Sequence, residues 1–305
     1  MLALWPNGDN GYGYHTTAEE VTKDKDLTGK TYVITGINSG LGQECGRVLA
    51  LRNANVIGLA RTEEKAKEGM QEWTGTGDKI PVVCELGEPE VIKQAVKDIK
   101  ATGKKIDAVI ANAGIMALPK LELQHGYEKQ FFCNHVGHFI LITGLLDSLT
   151  DDGRVITLSS LAHKQAPKGG IAFDNLDGSK GYSDWTFYGQ SKMAPLLMAK
   201  SLAHKFEGTK KTAYSCHPGV INTNLSRHMN PILRGLTGFF GPLFLKTIPE
   251  GAATQTYLAT SDDIQDKSGL YFADCNVQGE RADGSDMATA EKLWAKTEEI
   301  VAASN

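Results

Sequence analysis

Short apolar runs alternate with longer amphipathic stretches from Lys30 to the carboxyl end of the chain. Apolar runs of about four to eight residues are typical of buried strands, whereas apolar positions three and four apart are typical of helices. The pattern predicts strands at Thr31–Thr35, Asn55–Ala60, Ile80–Cys84, Ala108–Asn112, Arg154–Ser159, Thr212–Cys216 and Gly269–Phe272. It predicts helices at Leu41–Arg52, Glu63–Trp73, Glu88–Thr102, Leu123–Leu149, Trp185–Phe206, Pro249–Ala259 and Thr289–Val301.

This alternation predicts an α/β fold with a doubly wound, parallel sheet, because parallel strands need crossover helices, which then cover both faces. We expect residues 28–305 to form a single domain, since no repeat, low-complexity tract or linker divides them. Residues 1–27 are polar and glycine-punctuated, which indicates an arm on the surface of the domain. Within this arm, Thr17 and Glu20 have the spacing that caps a short helix.

Composition narrows the classes of function. A chain of 305 residues, with 41% hydrophobic and 22% charged residues, can bury a large core. A net charge of −4 without a Lys/Arg-rich block argues against a nucleic-acid partner. The 5 cysteines are widely spaced and form no C-x-x-C, which indicates buried free thiols in a reducing compartment. We see no signal peptide, transmembrane segment or metal-binding constellation, and expect a cytoplasmic protein.

A glycine-rich turn, T-G-I-N-S-G-L-G, runs from Thr35 to Gly42, between the first predicted strand and its helix. The glycines allow a tight turn and close approach of a phosphate, and the helix amino terminus offers N–H groups to a pyrophosphate. The spacing T-G-x-x-x-G-x-G differs from the usual G-x-G-x-x-G, and an ordinary turn is the alternative. The turn predicts a dinucleotide site that includes Gly36, Asn38, Ser39, Gly40, Leu41 and Gly42.

Arg61 follows the second strand, where an acidic residue would bind the ribose hydroxyls of NAD. An arginine can hold a 2′-phosphate with paired N–H groups. A cation at the start of a helix is also unfavourable unless an anion arrives there. Arg61 therefore favours NADP over NAD, and a solvated arginine is the alternative.

Three other strand ends carry candidate chemistry. Asn112–Gly114 closes the fourth strand with small residues, against which a cofactor ring can lie, although a plain turn is equally compatible. Ser159 and Ser160 end the fifth strand, where a hydroxyl can stabilise charge on a substrate oxygen or merely cap the strand. His217–Thr223 follows the sixth strand and can wrap the nicotinamide end of a cofactor.

Tyr188 and Lys192 are four residues apart and therefore share one face of the predicted helix Trp185–Phe206. A lysine there favours the phenolate, so a group with an ordinary pKa of about 10 can exchange protons nearer neutral pH. Such a pair often occurs by chance, and a lysine stem packed on a tyrosine is the alternative. With a nucleotide site on the same chain, the pair predicts a proton donor for a carbonyl.

Together these motifs resemble the short-chain dehydrogenase/reductase family, and the resemblance extends from Leu27 to Phe272. Within the family, the chain is most similar to the retinol-dehydrogenase-like branch, with its plastid-envelope and WW-domain oxidoreductase relatives. The supporting runs are T-A-E-E-V (17–21), N-H-V-G-H-F (134–139), S-S-L-A-H (159–163), F-D-N-L (173–176), Y-G-Q-S-K (188–192) and Y-F-A-D-C (271–275).

The resemblance implies a Rossmann-type sheet of seven strands in the order 3-2-1-4-5-6-7. It implies that Tyr188 is the general acid or base, and that Lys192 lowers the pKa of Tyr188 and holds the nicotinamide ribose. Ser160 would position the carbonyl, and Asn134 would hold a water that links Lys192 to solvent. The implied cofactor residues beyond the glycine turn are Arg61, Glu85, Leu86, Asn112, Ala113, Gly114, Tyr188, Lys192, Gly219, Ile221 and Thr223.

Three residues depart from the family pattern. Glu85 stands where aspartate usually faces the adenine, and Asn222 stands where many NADP-using relatives have arginine. Pro195 lies inside the predicted Tyr188–Lys192 helix, where we expect a bend because proline removes a backbone donor. Relatives often dimerise through this helix, but Pro195 weakens that inference, so both a monomer and a homodimer stay open.

The segment Asn222–Lys246 is apolar and aromatic, and we expect it to determine the substrate. It can form a lid over a hydrophobic carbonyl compound, a patch that contacts a membrane surface, or a loop packed on the core or on a second subunit. His163 and His217 adjoin the site and are expected to orient loops rather than bind metal.

The sequence therefore predicts an NADP-dependent (NADPH/NADP+) oxidoreductase that interconverts a carbonyl and an alcohol on a hydrophobic small molecule. Two alternatives are a catalytically silent NADP(H)-binding redox sensor and a sugar-nucleotide epimerase or dehydratase, which shares Y-x-x-x-K. The glycine spacing, the N-A-G run and the lack of a second domain argue against the epimerase.

Overall fold

A mostly parallel sheet forms the centre of the structure, a computed structural model that describes residues 6–221 and 245–304. Its strands and those of a small hairpin are β1 (Thr31–Thr35), β2 (Asn55–Ala60), β3 (Lys79–Val83), β4 (Ile106–Ala111), β5 (Leu123–Gln124), β6 (Tyr127–Glu128), β7 (Leu149–Leu158), β8 (Thr212–His217), β9 (Tyr271–Ala273) and β10 (Asn276–Val277). The main sheet has the order β10-β9-β8-β7-β4-β1-β2-β3, and β5 pairs with β6.

Helices cover both faces of this sheet. They are α1 (Gly40–Leu51), α2 (Glu63–Met70), α3 (Pro89–Ala101), α4 (Lys129–Phe131), α5 (Gly137–Leu145), α6 (Asp184–Lys205), α7 (Ile248–Thr260) and α8 (Met287–Ala303). A π-helical turn, Phe132–Val136, joins α4 to α5, and a 3₁₀ helix, Leu161–Gln165, follows β7. The predicted doubly wound α/β fold is confirmed.

The period-two pattern of the central strands explains how the two faces are filled. On β1, Val33 packs into one core cluster, whereas Tyr32 and Ile34 pack into the other. The first cluster takes apolar side chains from α3, α5, α6 and α8, and the second from α1, α2 and α7. Every residue of β1 is buried, as expected for a strand covered on both faces.

Within residues 6–221 and 245–304 the sheet has eight strands, one more than predicted. Its parallel strands keep the predicted order, and the additional strand, β10, pairs antiparallel with β9. Asp274 and Cys275 reverse the chain between these strands with φ angles of 53° and 61°. Aspartate is common in such a turn but cysteine is not, so the sequence carried only a weak signal for it.

The predicted helix Leu123–Leu149 is wrong at both ends. Its first residues form the β5–β6 hairpin, whose turn residues His125 and Gly126 have φ angles of 50° and 82°. The side chain of Glu128 then accepts a hydrogen bond from Phe131 N at 2.9 Å and begins α4. At the other end, Leu149 is already the first residue of β7, five residues before the predicted start.

Helix α6 continues through Pro195 from Asp184 to Lys205 without interruption. The amino-terminal segment, residues 6–27, contacts α7 and the β9–β10 turn. Ala18 N donates to Pro249 O at 3.0 Å, and Asn10 Nδ2 donates to Cys275 O at 2.8 Å. The expected capping contact is present, because Thr17 N donates to Glu20 Oε2 at 2.6 Å.

All five cysteines are buried and unpaired, as predicted. None of the helices within residues 6–221 and 245–304 combines the length and the apolar character needed to cross a membrane.

Candidate active site

The glycine turn predicted to bind a dinucleotide packs tightly against the ends of β1 and β4. Gly36 and Gly40 have φ angles of 74° and 62°, which a side chain disfavours. A Cβ at position 42 would lie 2.4 Å from the carbonyl oxygen of Gly36, so only glycine allows α1 to approach this closely. The turn therefore needs glycine at all three positions.

Helix α1 has no side-chain cap at its amino terminus, as is also the case for α3 and α6. Ser39 precedes α1 but its side chain caps no N–H group, whereas the side chain of Thr62 caps α2. Thr247 and Glu250 form a reciprocal capping box on α7. The first-turn N–H groups of α1 thus face the glycine turn without a side-chain acceptor from Ser39, and Asn38 beside it is exposed.

Arg61 directly follows β2, the strand that pairs with β1 in the sheet. Its side chain is exposed and makes no ion pair or hydrogen bond with any residue in the described ranges. Glu85 and Leu86 follow β3, the next strand outward, and Gly137 packs against Leu86. These residues line the same edge of the sheet as the glycine turn.

Thr35 connects the ends of β1 and β4. Its hydroxyl oxygen accepts hydrogen bonds from Asn112 N and Ala113 N, each at 2.9 Å. Its own proton is therefore donated to His138 Nε2, at 2.9 Å, and His138 Nδ1 donates to Asn134 O at 3.0 Å. Burial lowers the pKa of His138 to about 4, so the ring is neutral and this tautomer is fixed. Sequence reasoning missed both Thr35 and His138 in this role.

Asn134 lies in the π-helical turn and links β4 to α6. Its Nδ2 donates to Ile115 O and to Ser191 Oγ, both at 2.9 Å, and its Oδ1 accepts from Ile115 N at 2.8 Å. Ser191 Oγ in turn donates to Tyr188 O at 2.8 Å. A π-helical turn often marks a functional site. Here it places the Asn134 side chain between the two elements.

Tyr188 and Lys192 lie on one buried face of α6, as the sequence predicted. The Lys192 ammonium lies 5.9 Å from the centroid of the Tyr188 ring and donates to Leu158 O at 3.2 Å. A Cβ at position 114 would lie 3.2 Å from Lys192 Nζ and 3.1 Å from Asn134 Oδ1. Gly114 thus gives room for both side chains at the end of β4.

Two hydroxyl groups at the end of β7 fasten α6 to the sheet around Pro195. Thr157 Oγ1 donates to Pro195 O at 2.8 Å, and Ser159 Oγ donates to Lys192 O at 2.7 Å. These bonds hold the helix where the proline removes an internal backbone donor. The two neighbouring serines therefore differ, because the side chain of Ser159 is committed to the α6 backbone.

The hydroxyl of Ser160 faces the site. Ser160 Oγ accepts a hydrogen bond from Ala162 N at 3.2 Å and also bonds to the phenol of Tyr188. Since its oxygen already accepts from a backbone N–H, its proton is available to an oxygen beside Tyr188. The structure therefore brings together Asn134, Ser160, Tyr188 and Lys192, the four residues that the sequence analysis expected to carry the chemistry.

Burial shifts the two titratable groups in opposite directions. It raises the pKa of Tyr188 to about 12, and the hydrogen bond from Ser160 offsets only part of this rise. It lowers the pKa of Lys192 to about 8. In this structure the net shift of the Tyr188 pKa is upward, and the expectation that Lys192 lowers it stays a prediction. Loss of water around the phenolate outweighs an ammonium 5.9 Å from the ring centroid.

The loop after β8 carries Gly219 and Ile221, predicted to contact a nicotinamide. Gly219 has a φ angle of 94°, and a Cβ there would lie 2.6 Å from the stem of Lys246. Ile221 forms a β-bridge with Lys246, whose N–H donates to Val220 O at 2.8 Å. The predicted contact Thr223 and residues 222–244 of the substrate segment lie outside the described residues.

Lys246 packs against this loop. The sequence carried no signal for this role. Its side chain is only 1% exposed, and its ammonium pairs with Asp274 Oδ1 at 2.5 Å. The same ammonium lies 4.8 Å from the centroid of the Tyr14 ring. The amino-terminal segment and the β9–β10 turn therefore both contact Lys246, next to the loop that is proposed to bind the nicotinamide.

His217 is buried at the end of β8, and burial lowers its pKa to about 3. It is therefore neutral at physiological pH. Within the described parts of the chain, no cluster of three or more His, Cys, Asp or Glu side chains has the arrangement of a metal site.

Comparison with known proteins gives one consistent family. The family model of the short chain dehydrogenases matches residues 30–232. Chloroplastic short-chain dehydrogenase TIC 32 A of Brassica napus is 37% identical over 302 residues, covering 94% of this chain and 93% of that protein. Retinol dehydrogenase 11 of Mus musculus is 35% identical over 278 residues, covering 90% of this chain and 86% of that protein.

Solved structures show the same fold. An uncharacterized protein from Mycobacterium paratuberculosis superposes with a TM-score of 0.74 at 29% identity, covering 92% of this chain and 97% of that chain. A blue fluorescent protein from a metagenomic library, solved in complex with NADPH, superposes with a TM-score of 0.65 at 23% identity and covers 81% and 96% of the two chains. At that identity the second likeness concerns the fold alone.

Because Lys192 is buried, we predict that it lowers the free energy of unfolding by an amount that depends on pH. Its pKa falls from 10.5 to about 8 on burial, so between these values the unfolded chain holds a proton that the folded chain has lost. Lowering the pH through this range therefore favours unfolding of the wild type. Lys192→Met should melt at a higher temperature, with an advantage that grows from pH 10 to pH 8, on the order of 3 kcal/mol, and is constant below pH 8.

Thermal melts of both proteins between pH 7 and pH 10, followed by circular dichroism, test this expectation. Lys23→Met, at an exposed lysine, serves as the control for loss of a surface charge. An advantage of Lys192→Met that is equal at pH 7 and pH 10 would show that Lys192 does not titrate within this range.

Proposed function

The chain belongs to the short-chain dehydrogenase/reductase family, in its retinol-dehydrogenase-like branch, and we propose that it is an NADP(H)-dependent oxidoreductase of hydrophobic carbonyls and alcohols. The observation that carries the proposal is the meeting of Ser160, Tyr188 and Lys192 where β4 and β7 end. The phenol of Tyr188, the ammonium of Lys192 and the hydroxyl of Ser160 then lie together, as a proton donor, a cation and a hydrogen-bond donor. The glycine turn beside them is suited to a dinucleotide.

The shape of the site fits a dinucleotide. The close approach of Gly42 to Gly36 and the first turn of α1, which lacks a cap from Ser39, suit a pyrophosphate. Arg61 would hold a 2′-phosphate, Glu85 and Leu86 would face the adenine, and Asn112, Ala113 and Gly114 would border the nicotinamide half. Gly219, Ile221 and Thr223 would contact the carboxamide. Bound in this place, the cofactor supplies or accepts the hydride.

Tyr188 acts in the proposal as the general acid for reduction. With a pKa raised to about 12, its phenol carries a proton throughout the physiological range and donates it to the substrate carbonyl oxygen. Ser160 donates a hydrogen bond to the same oxygen as negative charge develops on it. In the direction of oxidation the proton returns to Tyr188, which is then the base.

Lys192 supplies positive charge to the phenolate that forms. Since its pKa is about 8, most Lys192 side chains are ammonium at pH 7. A buried ammonium interacts more strongly with a transient phenolate than an exposed one does, because little water screens the pair. Lys192 would also hold the ribose hydroxyls, and Asn134, across Gly114 from it, would hold the water of a proton relay to solvent.

Exposed apolar side chains support a hydrophobic substrate. Leu161, Trp185 and Val220 are 44%, 37% and 53% exposed. Leu161 follows Ser160, Val220 follows Gly219, and the Trp185 ring lies 6.0 Å from the Tyr188 ring. Such a rim suits an apolar alcohol or aldehyde, and the names of several relatives specify retinol for those proteins.

The location and assembly of the chain stay predictions. The relative TIC 32 A is named as chloroplastic, so a cytoplasmic location is one of these predictions. The monomer or homodimer state and contact with a membrane surface are the others.

Tyr188→Phe should lower turnover by at least about 100-fold, because general acid catalysis typically contributes that much or more. The affinity for NADPH should change little, since the ring remains. Consumption of NADPH with a panel of apolar aldehydes and ketones, including retinal, measures turnover. Tyr214→Phe is the matched control, because that buried hydroxyl donates to Ile264 O, away from the site.

Full activity of Tyr188→Phe would contradict the assignment of the acid. A wild-type chain that binds NADPH but turns over no member of the panel would instead favour the silent redox sensor.

Arg61→Asp should shift cofactor preference from NADPH toward NADH by about tenfold or more, because a charge-assisted contact to a phosphate is replaced by repulsion. The ratio of kcat/KM for the two cofactors measures the preference. Arg61→Lys, which keeps the charge but loses the paired N–H groups, should give an intermediate value. An unchanged ratio in Arg61→Asp would remove Arg61 from the 2′-phosphate site.

A further inference from the structure

We propose that His163 is a positioning residue that sets Ser160 beside Tyr188, and that the segment at Arg281 holds His163 in the tautomer this requires. The inference rests on the proposed function, because Ser160 matters only if it acts on a substrate oxygen. In the described part of the chain, the ring of His163 bonds to Ser160 and Arg281 and lies 5.2 Å from the ring of Tyr271. It lies behind Ser160, on the 3₁₀ helix Leu161–Gln165.

The hydrogen bonds of the His163 ring identify its tautomer. Its Nε2 lies 3.3 Å from Arg281 N, and a backbone N–H can only donate, so Nε2 must accept. The ring proton is therefore on Nδ1, which donates to Ser160 O at 2.7 Å. The side chain is fully buried, and this burial lowers the pKa of His163. A neutral ring with its proton on Nδ1 satisfies both partners.

The bond from Nδ1 fixes the peptide plane that follows Ser160. Ser160 O accepts both this bond and one from His163 N, at 3.0 Å. Ser160 Oγ meanwhile accepts from Ala162 N at 3.2 Å. With its carbonyl and its side-chain oxygen both held by the 3₁₀ helix, Ser160 presents its hydroxyl proton to Tyr188 in one orientation.

The 3₁₀ helix is itself clamped from two sides. On one side it packs against α6 so closely that a Cβ at position 189, next to Tyr188, would lie 2.6 Å from Ala162 O. On the other side the Arg281 guanidinium donates to Lys164 O in the helix at 3.1 Å, and to Ala166 O at 2.6 Å and Pro167 O at 2.7 Å just after it. Asp283 pairs with Arg281 at 2.5 Å and keeps it in place. The segment after β10 thus constrains Ser160 indirectly, because Arg281 bonds to His163 and His163 bonds to Ser160 O.

Two substitutions of His163 separate the donor from the bulk of the ring. His163→Leu removes the bond to Ser160 O, whereas the amide of His163→Asn can place an N–H donor where Nδ1 stood. We expect kcat to fall roughly 10- to 100-fold in His163→Leu, since small misplacements of reacting groups cost this much. In His163→Asn kcat should stay within about threefold of wild type, and KM for NADPH should be unchanged in both.

A double-mutant cycle with Ser160→Ala shows whether His163 acts through Ser160. Single-turnover rates with enzyme in excess of NADPH and aldehyde keep the slow variants measurable. In the Ser160→Ala background, His163→Leu should cost less than about twofold, because the hydroxyl that it positions is gone. An equal loss in both backgrounds would overturn the proposal, as would full activity of His163→Leu in the wild-type background.

Arg281→Met gives an independent arm if His163→Leu does not fold, as judged by its thermal melt. It removes the guanidinium contacts but keeps the backbone N–H that bonds His163. It should lower kcat at constant KM for NADPH, and this loss should also vanish in the Ser160→Ala background, whereas a loss that persists there contradicts the proposal. If Ser160→Ala alone leaves turnover unchanged, the proposed role of Ser160 fails first, which separates that failure from this one.

Discussion

Two hydrogen bonds between β7 and α6 set the geometry on which the site depends. Thr157 donates to Pro195 O at 2.8 Å and Ser159 donates to Lys192 O at 2.7 Å, at the point where the proline leaves the helix without a backbone donor. Because Tyr188 and Lys192 stand on the same helix, their positions follow from this attachment. Ser160 directly follows Ser159, so the attachment of β7 to α6 also fixes the position of Ser160 relative to Tyr188 and Lys192.

The attachment buries a lysine and a tyrosine together, and this burial determines their acid–base behaviour. It keeps the Tyr188 phenol protonated and lowers the pKa of Lys192 to about 8. The Lys192 shift costs folding free energy at physiological pH, which the apolar clusters on the two faces of the sheet offset. The Tyr188 shift costs none there, because the phenol is protonated in both the folded and the unfolded chain. The same burial holds Tyr188, a proton donor, and Lys192, a cation, beside Ser160 with little conformational freedom. The neutral histidines His138 and His163 hold the surrounding backbone and add no charge to compete with Lys192.

The fold was predictable where the pattern of residues is local. The buried runs of β1, β2 and β8 and the glycine turn follow from neighbouring residues, and so do Tyr188 and Lys192. The β5–β6 hairpin was missed because helix-like apolar spacing runs into it, and β10 because Asp274 and Cys275 make an uncommon reversal. The contacts of Lys246 with Asp274 and of His163 with Arg281 join distant positions, the latter 118 residues apart, so no local spacing reveals them.

A crystal structure of the chain with NADP+ bound would show whether Ser160, Tyr188 and Lys192 surround the nicotinamide ring. We expect the pyrophosphate on the glycine turn and Lys192 Nζ about 3 Å from the nicotinamide ribose hydroxyls. We also expect the hydroxyls of Tyr188 and Ser160 on the same side, facing the ring. A nicotinamide ring bound away from all three side chains would contradict this expectation.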